Sequence, residues 1–254
     1  MTQPTHPRTA AIQQIRITPI AFRDGPLLNA SGIHEPWALR SIIEIETADG
    51  RVGISETYGD EPMVKVLEQA KSLLIGLSPF DLNVMETRVR AAIKPTTGGA
   101  GVQFELAPGS HTAKNADKVI SAMEVAMLDL QGQILGMPIC DLLGGAVRSE
   151  VAYSAYLFYK YAEHVDKPYS SDVPPDAWGE AVTPEQIVQQ AQRMVGLYGF
   201  KSIKLKGGVF PPAQEIAAMK ALRSAVPTLP LRLDPNANWS LDTSIIAAKE
   251  LDEL

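Results

Sequence analysis

The chain predicts an α+β domain over residues 1–149 and an α/β domain with parallel strands over residues 150–254. Three β-patterned runs come first, two of them joined by Asp49-Gly50, a dipeptide of tight hairpin turns. Helical patterns then follow one another up to Gly136-Met137-Pro138. From Glu150 onward the rhythm changes to strand, loop, helix, strand, which is the signature of βα units.

Residues 14–22, 40–47 and 51–57 supply the opening strands of an antiparallel meander. The stretch between the first two, "RDGPLLNASGIHEPW", is too long for a simple connection and reads as a functional loop. Asp60 can cap a helix whose apolar residues are Val66, Leu67, Ala70, Leu73 and Leu74, ended by Gly76. Ser78-Pro79 begins a second helix, with Leu82, Met85 and Val89 on one face. Residues 94–113 read as a loop, and residues 115–135 as a long helix. Ala122, Ala126 and Leu130 recur in that helix at four-residue spacing and allow a close neighbour.

In the second half "EVAYSAYLF" is a strand, and Thr183-Pro184-Glu185-Gln186 has the spacing of a capping box, with Gly199 where that helix ends. "FKSIKLK" and "PLRLD" are further strands, with helices near 212–225 and after Ser240. Residues 159–182 form an elaborated loop at a strand's carboxyl end.

Composition narrows the function. With 23 basic and 29 acidic residues the net charge is −6, and no basic stripe exists for a nucleic-acid backbone. No run of apolar residues is long enough to span a bilayer, and residues 1–12 read as a frayed leader and not a signal peptide. A single cysteine, Cys140, excludes an internal disulfide and fits a reducing cytoplasm.

The chemistry is carried by "KSIKLKGGVF". Side chains alternate along a strand, so Ile203 and Leu205 share one face while Lys204 and Lys206 share the other. The same parity puts Arg232 and Asp234 opposite Leu231 and Leu233. If these are successive strands of a (β/α) barrel, Lys204, Lys206 and Asp234 converge inside its carboxyl-terminal mouth. Two adjacent ammonium groups are expected to lower the proton affinity of at least one, giving a usable base. Asp234 offers a hard oxygen to Mg²⁺, so the set suits proton abstraction beside a carboxylate. Each feature also has a plainer reading. K-x-K occurs as a solvated edge device, a strand-end Asp as a helix cap, Gly207-Gly208 as a turn, His34 as a surface histidine, and Asp129 as hydrogen-bonded structure.

"AMEVAMLDLQGQILGMPICDLLGGAVR" resembles the linker signature of the enolase superfamily. "IKLKGGV" and "LDPNANW", with "LLNASGIHEP" and "AYLF", are similar to motifs of its glucarate dehydratase members, in which the last of the first pair runs "LDPNGAW". The resemblance implies an α+β capping domain followed by a modified TIM barrel that converts an aldarate, glucarate or idarate, to a 5-keto-4-deoxy product with Mg²⁺, as a homo-oligomer. By the same resemblance Lys206 is the base and Lys204 the neighbour that tunes it and contacts substrate. Asp234 is a metal ligand, and Asn236, Tyr156, His34 and Asn29 are substrate contacts, the last two on a capping loop. Gln103-Phe104 departs from a threonine-containing motif in a second capping loop.

After residue 150 only three strands are legible, against eight in a TIM barrel, so the chain is expected to be the amino-terminal part of an incomplete barrel, inactive alone. The remaining metal ligands and second base are expected beyond residue 254. Two rival readings stand beside the dehydratase: a noncatalytic homologue that binds a partner or pairs subunits, and a superfamily racemase or other dehydratase.

Overall fold

A computed structural model describes residues 10–30, 32–93, 114–165 and 173–252. The expected loop at 94–113 with Gln103-Phe104, most of the leader and part of the 159–182 loop lie outside the described residues. The chain folds into an α+β part and an α/β part built on a parallel sheet. Among the described residues, 10–22, 39–93 and 114–149 form one compact unit, and 23–38 with 150–252 form the other.

In the first unit β1 (Ile12–Arg23), β4 (Trp37–Thr47) and β5 (Val52–Tyr58) make a sheet in the order β1-β4-β5. β4 and β5 are antiparallel, in register from Arg40–Tyr58 to Glu46–Val52, and Gly50 closes the turn at φ 84°. That conformation strains any residue with a Cβ. Three helices cover one face: α1 (Glu61–Leu74), α2 (Leu82–Ala92) and α3 (Lys114–Leu135). Their apolar stripes, including Leu67, Ala70, Met85, Val89, Met123 and Leu130, bury against Ile43 and Ile45.

The small residues of α3 have the expected consequence. A Cβ on Gly53 would overlap the Ala126 carbonyl, so helix and strand touch backbone to backbone. Ser55 Oγ donates to the Ala122 carbonyl at 2.6 Å, and Ile54 N donates to Asp129 Oδ2 at 2.9 Å. Asp129 is thus a structural acceptor. α2 begins three residues later than Ser78-Pro79 suggested, because Asp81 turns back to accept from Ser78 N at 2.9 Å. A short helix, α4 (Ile139–Leu142), follows Pro138 and has too few residues to show a period.

The second unit is a parallel sheet, β6 (Ser154–Phe158), β7 (Ser202–Lys206) and β8 (Leu231–Asp234), in sequence order. Helices α5 (Pro184–Tyr198), α6 (Pro212–Ala225) and α7 (Leu241–Leu251) alternate with the strands. The capping box is present: Gln186 N donates to Thr183 Oγ1 at 3.3 Å, and Thr183 N to Gln186 Oε1 at 3.0 Å. Gly199 ends α5 in the left-handed region at φ 67°. Ile203 and Leu205 are buried with Ile187, Ala191, Met219 and Leu222, so the apolar parity of β7 faces α5 and α6. The polar parity is left for the other face.

Residues 23–38 pack with this sheet. Within them β2 (Leu28–Asn29) and β3 (Gly32–Ile33) form a small antiparallel ladder inside what reads as loop from sequence. Leu28 N donates to the Tyr159 carbonyl at 2.7 Å, and Leu27 bridges to Lys160. The Lys160 ammonium pairs with Asp176, and both are largely buried.

Candidate active site

Parallel pairing sets Tyr156 beside Lys204 and Lys204 beside Arg232, and one pleat further Phe158 beside Lys206 and Lys206 beside Asp234. These rows lie on one face at the carboxyl ends of the three strands. Asp234 Oδ2 stands 2.8 Å from Lys204 Nζ and 3.0 Å from Lys206 Nζ. Lys206 Nζ also donates to Asn236 Oδ1 at 2.6 Å. Lys206 is 9% exposed, which marks it as the inner member of the pair.

The expected lowering of proton affinity does not hold for Lys204. Its hydrogen bond to Asp234 raises its pKa, against an opposing effect of burial and with the nearby Tyr156 adding to the rise. The physical reason is that one carboxylate oxygen lies between the two ammonium groups and offsets their repulsion. On Asp234 burial pushes the pKa up, but the hydrogen bonds from Lys204, Lys206 and Asn236 N outweigh it and bring the carboxyl down to about 2. Removing that charge reverses the effect. Asp234→Asn is expected to lower the Lys204 pKa, read from the titration of its Cε and Nζ NMR signals. A titration that does not move would show that Asp234 is not what holds the proton there.

After β8 the chain turns sharply. Asn236 and Ala237 have φ of 57° and 60°, the left-handed region in which Asn is tolerated and Ala is strained. The turn lets Asn236 N donate to Asp234 Oδ1 at 3.0 Å and swings Asn236 Oδ1 onto Lys206. Asn236 Nδ2 is buried with no hydrogen-bond partner among the described residues. Such a donor is costly unless a ligand supplies an acceptor.

Tyr156 lies under Lys204, its ring centroid 4.7 Å from Nζ. Its ring meets Phe158 at 4.6 Å, and Phe158 meets the His34 ring edge-on at 5.8 Å. His34 is thereby linked to the lysine end of the sheet. Asn29 sits in β2 opposite Gly32.

Two contributors escaped the sequence reading. Phe158 shares the parity of Tyr156, so the alternation argument applied to β6 would have found it. Glu215 is fully buried in the first turn of α6. Its Oε2 accepts from Gly208 N at 2.9 Å, and its Oε1 from Val209 N and Phe210 N at 2.9 and 3.0 Å. A carboxylate one helical turn beyond a Gly-Gly loop was the available signal. Gly208, at φ 77°, is also gripped by Asn238, whose Nδ2 donates to its carbonyl at 2.8 Å. Burial, and secondarily the Glu215 charge, push the Tyr159 phenol well above its ordinary range.

Asp234 suits Mg²⁺ as an ionised, hard oxygen ligand. The described residues contain no group of three or more His, Cys, Asp or Glu placed to hold a metal, so Asp234 can be only one ligand of such a site.

Residues 36–144 match the mandelate racemase / muconate lactonizing enzyme N-terminal domain, and residues 186–254 match the enolase C-terminal domain-like family. The chain belongs to the enolase superfamily. A probable glucarate dehydratase of Streptomyces coelicolor is 45% identical over 251 residues, covering 97% of this chain and 57% of the relative. An enolase structure from Pseudomonas fluorescens with bound magnesium, potassium and tartrate is 56% identical, with TM-score 0.84 over 95% of this chain and 56% of that one. Another, from Thermobispora bispora with magnesium and formate, is 49% identical, with TM-score 0.87 over 95% of this chain and 56% of that one. The chain thus spans a little over half the length of these relatives.

Proposed function

We propose that a protein built on this chain at its relatives' full length dehydrates an acid sugar, glucarate to 5-keto-4-deoxyglucarate, with Lys206 as the base. The observation that carries this reading is the meeting of Lys204 and Lys206 on one oxygen of Asp234 at the carboxyl end of a parallel sheet. Its similarity to a probable glucarate dehydratase and to a tartrate-bound enolase supports a hydroxylated dicarboxylate as substrate.

In this reading Lys206 takes the proton from the carbon beside the substrate carboxylate. The C–H electron pair moves into the carboxylate as an enediolate, then returns to expel the hydroxyl on the next carbon, which leaves with a proton as water. The enol that remains tautomerises to the ketone. Lys204, kept charged by Asp234, lies against the developing negative charge. Asn236 Nδ2 donates to the substrate, and Tyr156, His34 and Asn29 orient its hydroxyls. Held by Asp234, magnesium would supply positive charge beside the same carboxylate. The single, exposed Cys140 is in keeping with a cytoplasmic setting.

The test is turnover of a panel of aldarates by the full-length protein with and without Mg²⁺, with the product identified by NMR. Magnesium-dependent formation of the 5-keto-4-deoxy product is expected. No turnover of any aldarate would defeat the reading.

A further inference from the structure

Residues 24–36 run out and back on themselves. Asp24 N donates to the Pro36 carbonyl at 3.0 Å, His34 N donates to the Leu27 carbonyl at 2.8 Å, and Leu28 pairs with Ile33. This path sets the Asp24 and His34 side chains against each other, with His34 Nδ1 3.0 Å from Asp24 Oδ2. Asp24 is itself fixed from two further directions. Its Oδ1 accepts from Gly25 N at 2.9 Å, and its carbonyl oxygen lies 3.2 Å from Nε2 of the buried His164.

An ionised carboxylate only accepts hydrogen bonds, so the hydrogen of a neutral His34 ring belongs on Nδ1. Nε2 is then left with its lone pair, able to accept. The ring also packs against Phe158, in the aromatic row that ends under Lys204.

We propose that Asp24 is a positioning residue that fixes His34 as the Nδ1–H tautomer, so that Nε2 accepts a hydrogen bond from a hydroxyl of a polyhydroxy acid. The inference rests on the reading of His34 as a substrate contact. It adds that this contact recognises a hydroxyl, a donor, and not a carboxylate, which can only accept. A site tuned in this way rejects an analogue lacking that hydroxyl.

The His34 ring nitrogens are read by ¹⁵N NMR of the full-length protein, with His34→Gln assigning their signals. At about pH 8, above the ordinary histidine range, His34 is expected to show Nδ1 protonated and Nε2 bare. Asp24→Asn is expected to invert the pattern. With its amide oxygen kept on Gly25 N, its NH₂ faces His34 Nδ1, which must then accept. Asp24→Ala, the second variant, is expected to leave a mixture of tautomers. A proton on Nε2 in the wild-type protein, or the same pattern in all three proteins, overturns the proposal.

Turnover gives a second readout. Asp24→Asn is expected to lower kcat/KM for an aldarate about tenfold, mainly through KM. The same change in a His34→Gln background is expected to cost nothing further. An undiminished loss in that background would make Asp24 merely structural. The tautomer measurement requires no turnover, so it decides the role of Asp24 even in a protein that dehydrates no acid sugar.

Discussion

Lys206→Ala is expected to lower kcat for aldarate dehydration by about a thousandfold or more in the full-length protein, within or above the usual range for removal of a general base. The ammonium is held by three features at once. Its strand pairs on both sides, Asp234 and Asn236 hold Nζ at 3.0 and 2.6 Å, and the side chain is nearly enclosed. Lys204 cannot take its place without moving, since it projects one pleat away and lies over Tyr156. Lys206→Arg separates two roles. Arginine keeps the charge but does not give up its proton, so a base is lost as fully as with alanine. If Lys206→Arg instead kept a tenth or more of the wild-type rate, Lys206 would act through its charge and not as a base. KM should change far less than kcat in both variants, because proton removal belongs to the transition state.

Glu215→Ala is expected to be the most destabilising single change near the site, by about 3 kcal/mol or more. The side chain is fully buried and satisfies three consecutive backbone N–H groups, at Gly208, Val209 and Phe210. Alanine would leave three partly buried donors without their acceptor, each costing up to about 1–3 kcal/mol. Glycine at 207 and 208 allows the close approach. A Cβ on Gly207 would fall on the Glu215 carboxylate, and one on Gly208 on the Pro235 carbonyl. The loss is read as a lower urea midpoint at unchanged slope, with faster amide exchange at residues 208–210. Glu215→Gln should do less harm, since its amide oxygen still accepts while its NH₂ opposes one N–H group. A midpoint within about 0.5 kcal/mol of wild type for Glu215→Ala would show that the loop is held by something else.

Much of the fold was legible because its signals are local. The hairpin at Asp49-Gly50, the capping box at Thr183 and the left-handed Gly199 depend on residues within one turn of one another. Period also worked where elements are long, as in α3, whose small residues foretold contact with β5. It failed for β2, β3 and α4, which are two to four residues long. Pairing of Leu28 with Ile33 is decided by docking on Tyr159, a residue about 130 positions away.

What the sequence alone determined was direction: alternation put Lys204, Lys206 and Asp234 on one side of their strands, whatever lay around them. What only the tertiary structure decided was the charge balance of the cluster. Asp234 lies between the lysines and raises the proton affinity of Lys204, where two ammonium groups alone would have lowered it. Likewise Asp24 and Glu215 look unremarkable in the chain, and gain their roles from the atoms brought against them. The physical reason is range: side-chain parity follows from backbone geometry one residue at a time, whereas proton affinity, tautomer and desolvation depend on groups a few ångströms away in space and any distance along the chain.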